Sequence, residues 1–61
     1  MQVICIEADY PYNYSVCLYT DDEPNGDTFR VFDSVDAVTE ARDYADELQA
    51  QYPDAEIVEV Y

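Results

Sequence analysis

The 61-residue chain contains no histidine, no lysine and no tryptophan, and its single glycine is Gly26. Each absence removes a class of chemistry. Without His or Lys there is no imidazole base poised near neutral pH, no Schiff-base amine and no imidazole ligand for a metal. One glycine cannot build a glycine-rich phosphate loop. Carboxylate pairs such as Asp21 and Asp22 are plentiful, but in an exposed setting nothing tunes them for acid-base work, so catalysis is not expected. Cys5 and Cys17 lack CxxC spacing and His partners, so no structural zinc site and no cofactor is implied. No stretch approaches the roughly 20 apolar residues that cross a bilayer. The start, MQVICIEAD, shows neither a positive leader nor a cleavage signature, and a cytoplasmic location is the expectation.

What the chain does have is charge of one sign. Fifteen Asp and Glu stand against Arg30 and Arg42, for a formal net charge of -13. Such a density repels nucleic acid and anionic lipid alike, so neither is an expected direct partner, and its complement is a basic surface. High net charge with low hydrophobicity is the usual signature of disorder. Here 49% of residues are hydrophobic and seven are tyrosine, which argues for one folded domain over 1–61, near the lower size limit for a single core.

The periodicity predicts five elements. Val3 to Glu7 is a β-branched apolar run that suits a central strand, and DYPYN at 9–13 breaks it with proline. YSVCLYT at 14–20 alternates, with Val16 and Leu18 on one side and Cys17 and Tyr19 on the other. DDEPNGD at 21–27 follows as a tight connection, where Asn25-Gly26 can supply the positive φ angles of a hairpin turn. TFRVFD at 28–33 is a third strand, Ser34 to Tyr52 a helix with Ser34 as N-cap, and AEIVEVY at 55–61 a last strand behind Pro53. A right-handed helical crossover lets the last strand lie parallel beside the first, in sheet order 3-2-1-4. The expected fold is therefore α+β, a four-stranded, mainly antiparallel sheet with one helix on one face, in the order βββαβ.

At about 100° per residue, Ala37, Val38, Ala41, Tyr44, Ala45, Leu48 and Tyr52 form the apolar side of the helix. Asp36, Glu40, Asp43 and Glu47 fall opposite, an acidic stripe of about 16 Å without a lysine to interrupt it. Like charges at i, i+4 cost a helix roughly 0.2–0.5 kcal/mol per pair, so the stripe weakens the element that carries it. A second acidic cluster, Asp21, Asp22, Glu23 and Asp27, sits in the connection. Ordinary solvation accounts for many charged helix faces, but those mix signs.

One helix covers one face of a sheet. The other face draws on Val3, Cys5, Cys17, Tyr19, Phe29, Val31, Ile57 and Tyr61, and could support a partner or weak self-association, so a monomer or a weak homodimer is expected. Cys5 and Cys17 lie on neighbouring strands; a cross-strand bridge is conceivable, and two packed free thiols are the expected state. Asp21, Glu23, Asn25 and Gly26 loosely match the start of a calcium loop, but its twelfth position is Phe32, so only weak divalent association is expected.

A tiny tyrosine-bearing domain with overwhelming negative charge, carried by Asp21-Asp22-Glu23 and by Asp36, Glu40, Asp43 and Glu47, resembles the small acidic DNA-mimic proteins of phages and mobile elements. Within that group it is most similar to anti-CRISPR proteins that block type I surveillance complexes. The resemblance implies a non-enzymatic inhibitor that occupies the DNA-binding surface of a nucleic-acid-binding protein, a CRISPR effector subunit among the candidates. The stretch FDSVDAVTEARDYADELQ after a strand also resembles small domains of hairpin, strand, helix and strand order, which bears on the fold alone. Two alternatives stay open: an acidic interaction module such as an antitoxin or regulatory subunit, and a salt-adapted protein whose acidity serves solubility.

Overall fold

The structure, a computed structural model, describes residues 1–9 and 13–60. Its elements run β1 (Val3–Asp9), β2 (Asn13–Tyr19), β3 (Asp27–Phe32), α1 (Ala37–Gln51) and β4 (Glu56–Val60). The sheet order is β3-β2-β1-β4. β1 and β2 pair antiparallel, as do β2 and β3, while β4 runs parallel to β1. This is the α+β arrangement that the periodicity predicts, βββαβ with one helix across one face. Expected strand ends shift by a residue or two: β1 continues to Asp9, which pairs with Asn13, and the tip of the expected 9–13 break, Tyr10 to Tyr12, lies outside the described residues, as does Tyr61.

Alternation sorts each strand between two faces. Toward the helix, Ile4 and Ile6 of β1 meet Val16 and Leu18 of β2, and all four are buried against Ala41, Ala45 and Leu48 of α1. Small helix residues at the contact let the backbone approach the sheet while the branched side chains of the strands fill the space. Tyr14, Phe32, Tyr44, Tyr52 and Ile57 pack around this centre. Ile57 was expected among the candidates for the open face. The parallel register sets it opposite Ile4, which turns it to the core and leaves Val58 and Val60 on the other side.

Three rows cross that other face: Val31, Ser15, Glu7 and Val60; Thr28, Cys17, Cys5 and Val58; and Tyr19, Val3 and Glu56. Phe29 belongs to no pair, because a bulge sets Arg30 opposite Val16 but Thr28 opposite Cys17. Such a bulge bends an edge strand and blunts it against pairing with other chains.

Two local readings are corrected. Asn25-Gly26 does not form a two-residue hairpin turn, since Gly26 alone takes a positive φ, 84°. Instead Thr20 and Glu23 exchange backbone hydrogen bonds and the Gly26 N–H donates to the Glu23 carbonyl, a turn with Pro24 at the position where its fixed φ fits. The helix also starts later than Ser34, with Asp36 as its N-cap residue and no side-chain cap bond. The Ser34 hydroxyl accepts from the Asp36 N–H at 3.2 Å, and the Ala37 N–H donates to the Ser34 carbonyl at 3.1 Å. Ser34 thus fastens a tight preliminary turn, and α-helical geometry begins after it. At the other end Tyr52 is the C-cap and Pro53 follows, as the proline requires.

Candidate functional site

All eight acidic residues singled out from the sequence, Asp21, Asp22, Glu23, Asp27, Asp36, Glu40, Asp43 and Glu47, are exposed. They fall in two places. The first four occupy the β2–β3 connection and the start of β3. There Asp21 Oδ2 accepts from the Met1 amino group at 2.8 Å, an exposed pair of the kind that contributes little to stability.

The helix set is not one straight stripe. Asp36 precedes the first helical turn, so the helical part runs from Glu40 to Glu47, about 10 Å along the axis. Nor does it lie opposite the core. Ala37, Ala41, Ala45 and Leu48 are the buried helix residues, and at about 100° per residue the three carboxylates sit about 125° around from them. They flank the core on the side that faces β3. Glu40 also accepts a hydrogen bond from the Ser34 hydroxyl at 3.0 Å, which ties that carboxylate to the turn before the helix.

Between this flank and β3 runs a groove of about 300 Å³, lined by Arg30, Phe32, Glu40, Asp43, Tyr44 and Glu47. Phe32 and Tyr44 meet edge to face with ring centroids 5.8 Å apart. The Arg30 guanidinium lies 5.2 Å from the centroid of the Phe32 ring, a cation–π distance. Three carboxylates against one guanidinium leave the groove net negative. The acids were legible from the sequence, whereas the groove was not. The signal for it is strand parity, since Arg30 and Phe32, two residues apart on β3, share a face.

Arg42 turns away from this groove to β4, where its Nε donates to Glu59 Oε1 at 2.6 Å. The cysteines lie paired across β1 and β2 on the face without a helix, and both are buried free thiols. Tyr19 explains how. Its hydroxyl donates to Glu7 Oε2 at 3.2 Å, although Tyr19 stands opposite Val3 and Glu7 stands opposite Ser15. The link therefore spans the Cys5–Cys17 row and closes over it. Burial pushes the Cys5 thiol up, with Glu7 adding to the shift, and burial likewise raises Cys17. The Glu7 carboxylate raises the Tyr19 phenol.

No group of three or more Cys, Asp or Glu among the described residues is arranged to hold a metal ion. Among the described residues no helix is long and apolar enough to cross a membrane. Comparison with protein-family models, with curated proteins and with solved structures gave no match.

Proposed function

We propose that this chain is a non-enzymatic inhibitor that presents carboxylates where a nucleic-acid-binding protein expects phosphates, acting in the cytoplasm as an anti-CRISPR on a type I surveillance complex. One observation carries the reading: every acid of both clusters is exposed on a chain of net charge -13. A surface that neutralises phosphates carries clustered Lys and Arg, and fixed carboxylates can pair with those groups in place of DNA. Along α1 the three acids recur every three or four residues, about 4.5–6 Å of rise. That is of the same order as the 3.4 Å or so of helix axis per phosphate of one DNA strand.

The test is competition. A guide-loaded type I complex bound to labelled duplex should release the DNA as this protein is added. Neutralising Asp36, Glu40, Asp43 and Glu47 to Asn and Gln should weaken that displacement by about tenfold. The same change should leave thermal stability equal or slightly higher, because like-charge repulsion on the helix is relieved. If micromolar protein leaves the complex on its DNA, the anti-CRISPR reading is wrong.

A second reading draws on the sheet face without a helix, where Val31 and Val60 are about half exposed, at 51% and 55%. Apolar exposure of that kind favours an acidic interaction module, whose basic partner need not bind nucleic acid. Retention of a partner by the variant neutralised in both clusters, with loss of that partner on Val31→Ser and Val60→Ser, would favour it.

A further inference from the structure

The groove between α1 and β3 is built from more than carboxylates. Its lining combines an aromatic pair, Phe32 and Tyr44, with Glu40, Asp43 and Glu47, and the chain's own Arg30 already rests on the Phe32 ring. That stack is an observation about ligand class: this ring accepts a guanidinium. A guanidinium is planar and weakly hydrated, so it can lie on a ring while its N–H groups point at carboxylates. An ammonium is a compact, strongly hydrated charge and gains less from the same ring. A volume of about 300 Å³ is at the small end for a ligand site, the size of a side chain rather than a helix. With one internal guanidinium the groove is still net negative, so charge complementarity calls for a second cation and excludes a phosphate or a carboxylate.

Resting on the reading of a basic partner given above, we propose that this groove seats an arginine side chain of that partner, its guanidinium against the Phe32–Tyr44 pair and its N–H groups toward Glu40, Asp43 and Glu47. Arg30, which already occupies the Phe32 ring, is then the internal occupant that the incoming arginine displaces. The groove reads arginine over lysine, which a purely electrostatic surface does not. The Asp21–Asp27 cluster has no aromatic residue in its sequence, and the ring beside its Gly26, Tyr19, hydrogen-bonds Glu7.

Two probes decide it, a tetra-arginine and a tetra-lysine peptide, titrated into the isotope-labelled protein at about 0.15 M salt and followed by amide and aromatic NMR shifts. The arginine peptide should shift Phe32, Tyr44 and residues 40–47 and bind about threefold or more tighter than the lysine peptide. Removing the competitor by Arg30→Gln, at an exposed position, should widen the arginine-to-lysine ratio by about twofold. Equal affinity for the two peptides, shifts centred on residues 21–27, or a ratio that Arg30→Gln leaves unchanged would each overturn the proposal. Amide dispersion of every variant is compared with that of the parent, and Asp43→Asn serves as a second, milder groove variant expected to weaken the arginine peptide. The outcomes separate from those above: arginine selectivity without DNA displacement keeps the groove and rejects the mimic, and DNA displacement without arginine selectivity does the reverse.

Discussion

Gly26 shows how a single residue links a loop to a sheet face. Its φ of +84° is one that L residues adopt at a cost, and a Cβ built there would lie 2.6 Å from Tyr19 Cε2. Gly26→Ala therefore meets two penalties. The backbone alone costs about 1–2 kcal/mol, and the ring must move, which draws the Tyr19 hydroxyl from Glu7. Chemical denaturation should report a loss of at least that backbone cost. Combining Gly26→Ala with Tyr19→Ala should cost less than the sum of the two single changes, because the second removes the atom that the first strikes. Equal additivity would mean that the ring is not the obstacle.

At the scale of elements, the β1–β2 pair carries a titration of its own. Cys5, Cys17 and Tyr19 are all raised from their ordinary values, and an acid raised in the folded state keeps its proton there longer than in the unfolded chain. Its stabilising effect is complete below the unfolded value, declines as pH rises through it, and is lost above the folded one. Urea midpoints should thus be level from pH 7 to about 8 and fall above about 9, where unfolded thiols ionise. Cys5→Val with Cys17→Val should make that fall shallower while leaving partner binding unchanged. A midpoint that rises with alkaline pH would contradict the covered thiol row.

The elements themselves were legible because their signals are local: β-branched runs, a proline break, a helical period from Ala37 to Leu48. Strand parity was harder. The 3-2-1-4 order was accessible from the crossover rule, yet Ile57 could be turned to the core only by its register with Ile4, a relation between residues far apart in the chain. The acids of the candidate site were visible as residue types. Their position beside Phe32 and Tyr44 depended on how far the helix rolls on the sheet, which the alanine contacts set, and a helical wheel read alone placed them opposite the core.

Across the whole molecule, fifteen acids against two arginines repel one another and work against the compact state. The described residues extend 32 × 22 × 15 Å. At an ionic strength of about 0.01 M the Debye length is about 30 Å, so carboxylates at opposite ends still repel; at about 0.1 M it is about 10 Å and only neighbours do. The melting temperature should rise across that interval, steeply at first and then less so. A melting temperature independent of salt would show that the charges are effectively screened by the fold itself, and the case for a rigid array aimed at a basic partner would weaken.

The parallel pairing of β1 with β4 also fixes how the domain bears a load. The first and last strands are neighbours in register from Val3–Glu56 to Glu7–Val60, and they run the same way, so tension on the two chain ends pulls them along their common axis in opposite directions. The hydrogen bonds between them are then strained together, in shear, instead of opening one after another as in a zipper. β2 and β3 lie on the other side of β1 from β4, away from this seam. A pull on the two ends therefore loads first the seam of five register pairs between β1 and β4.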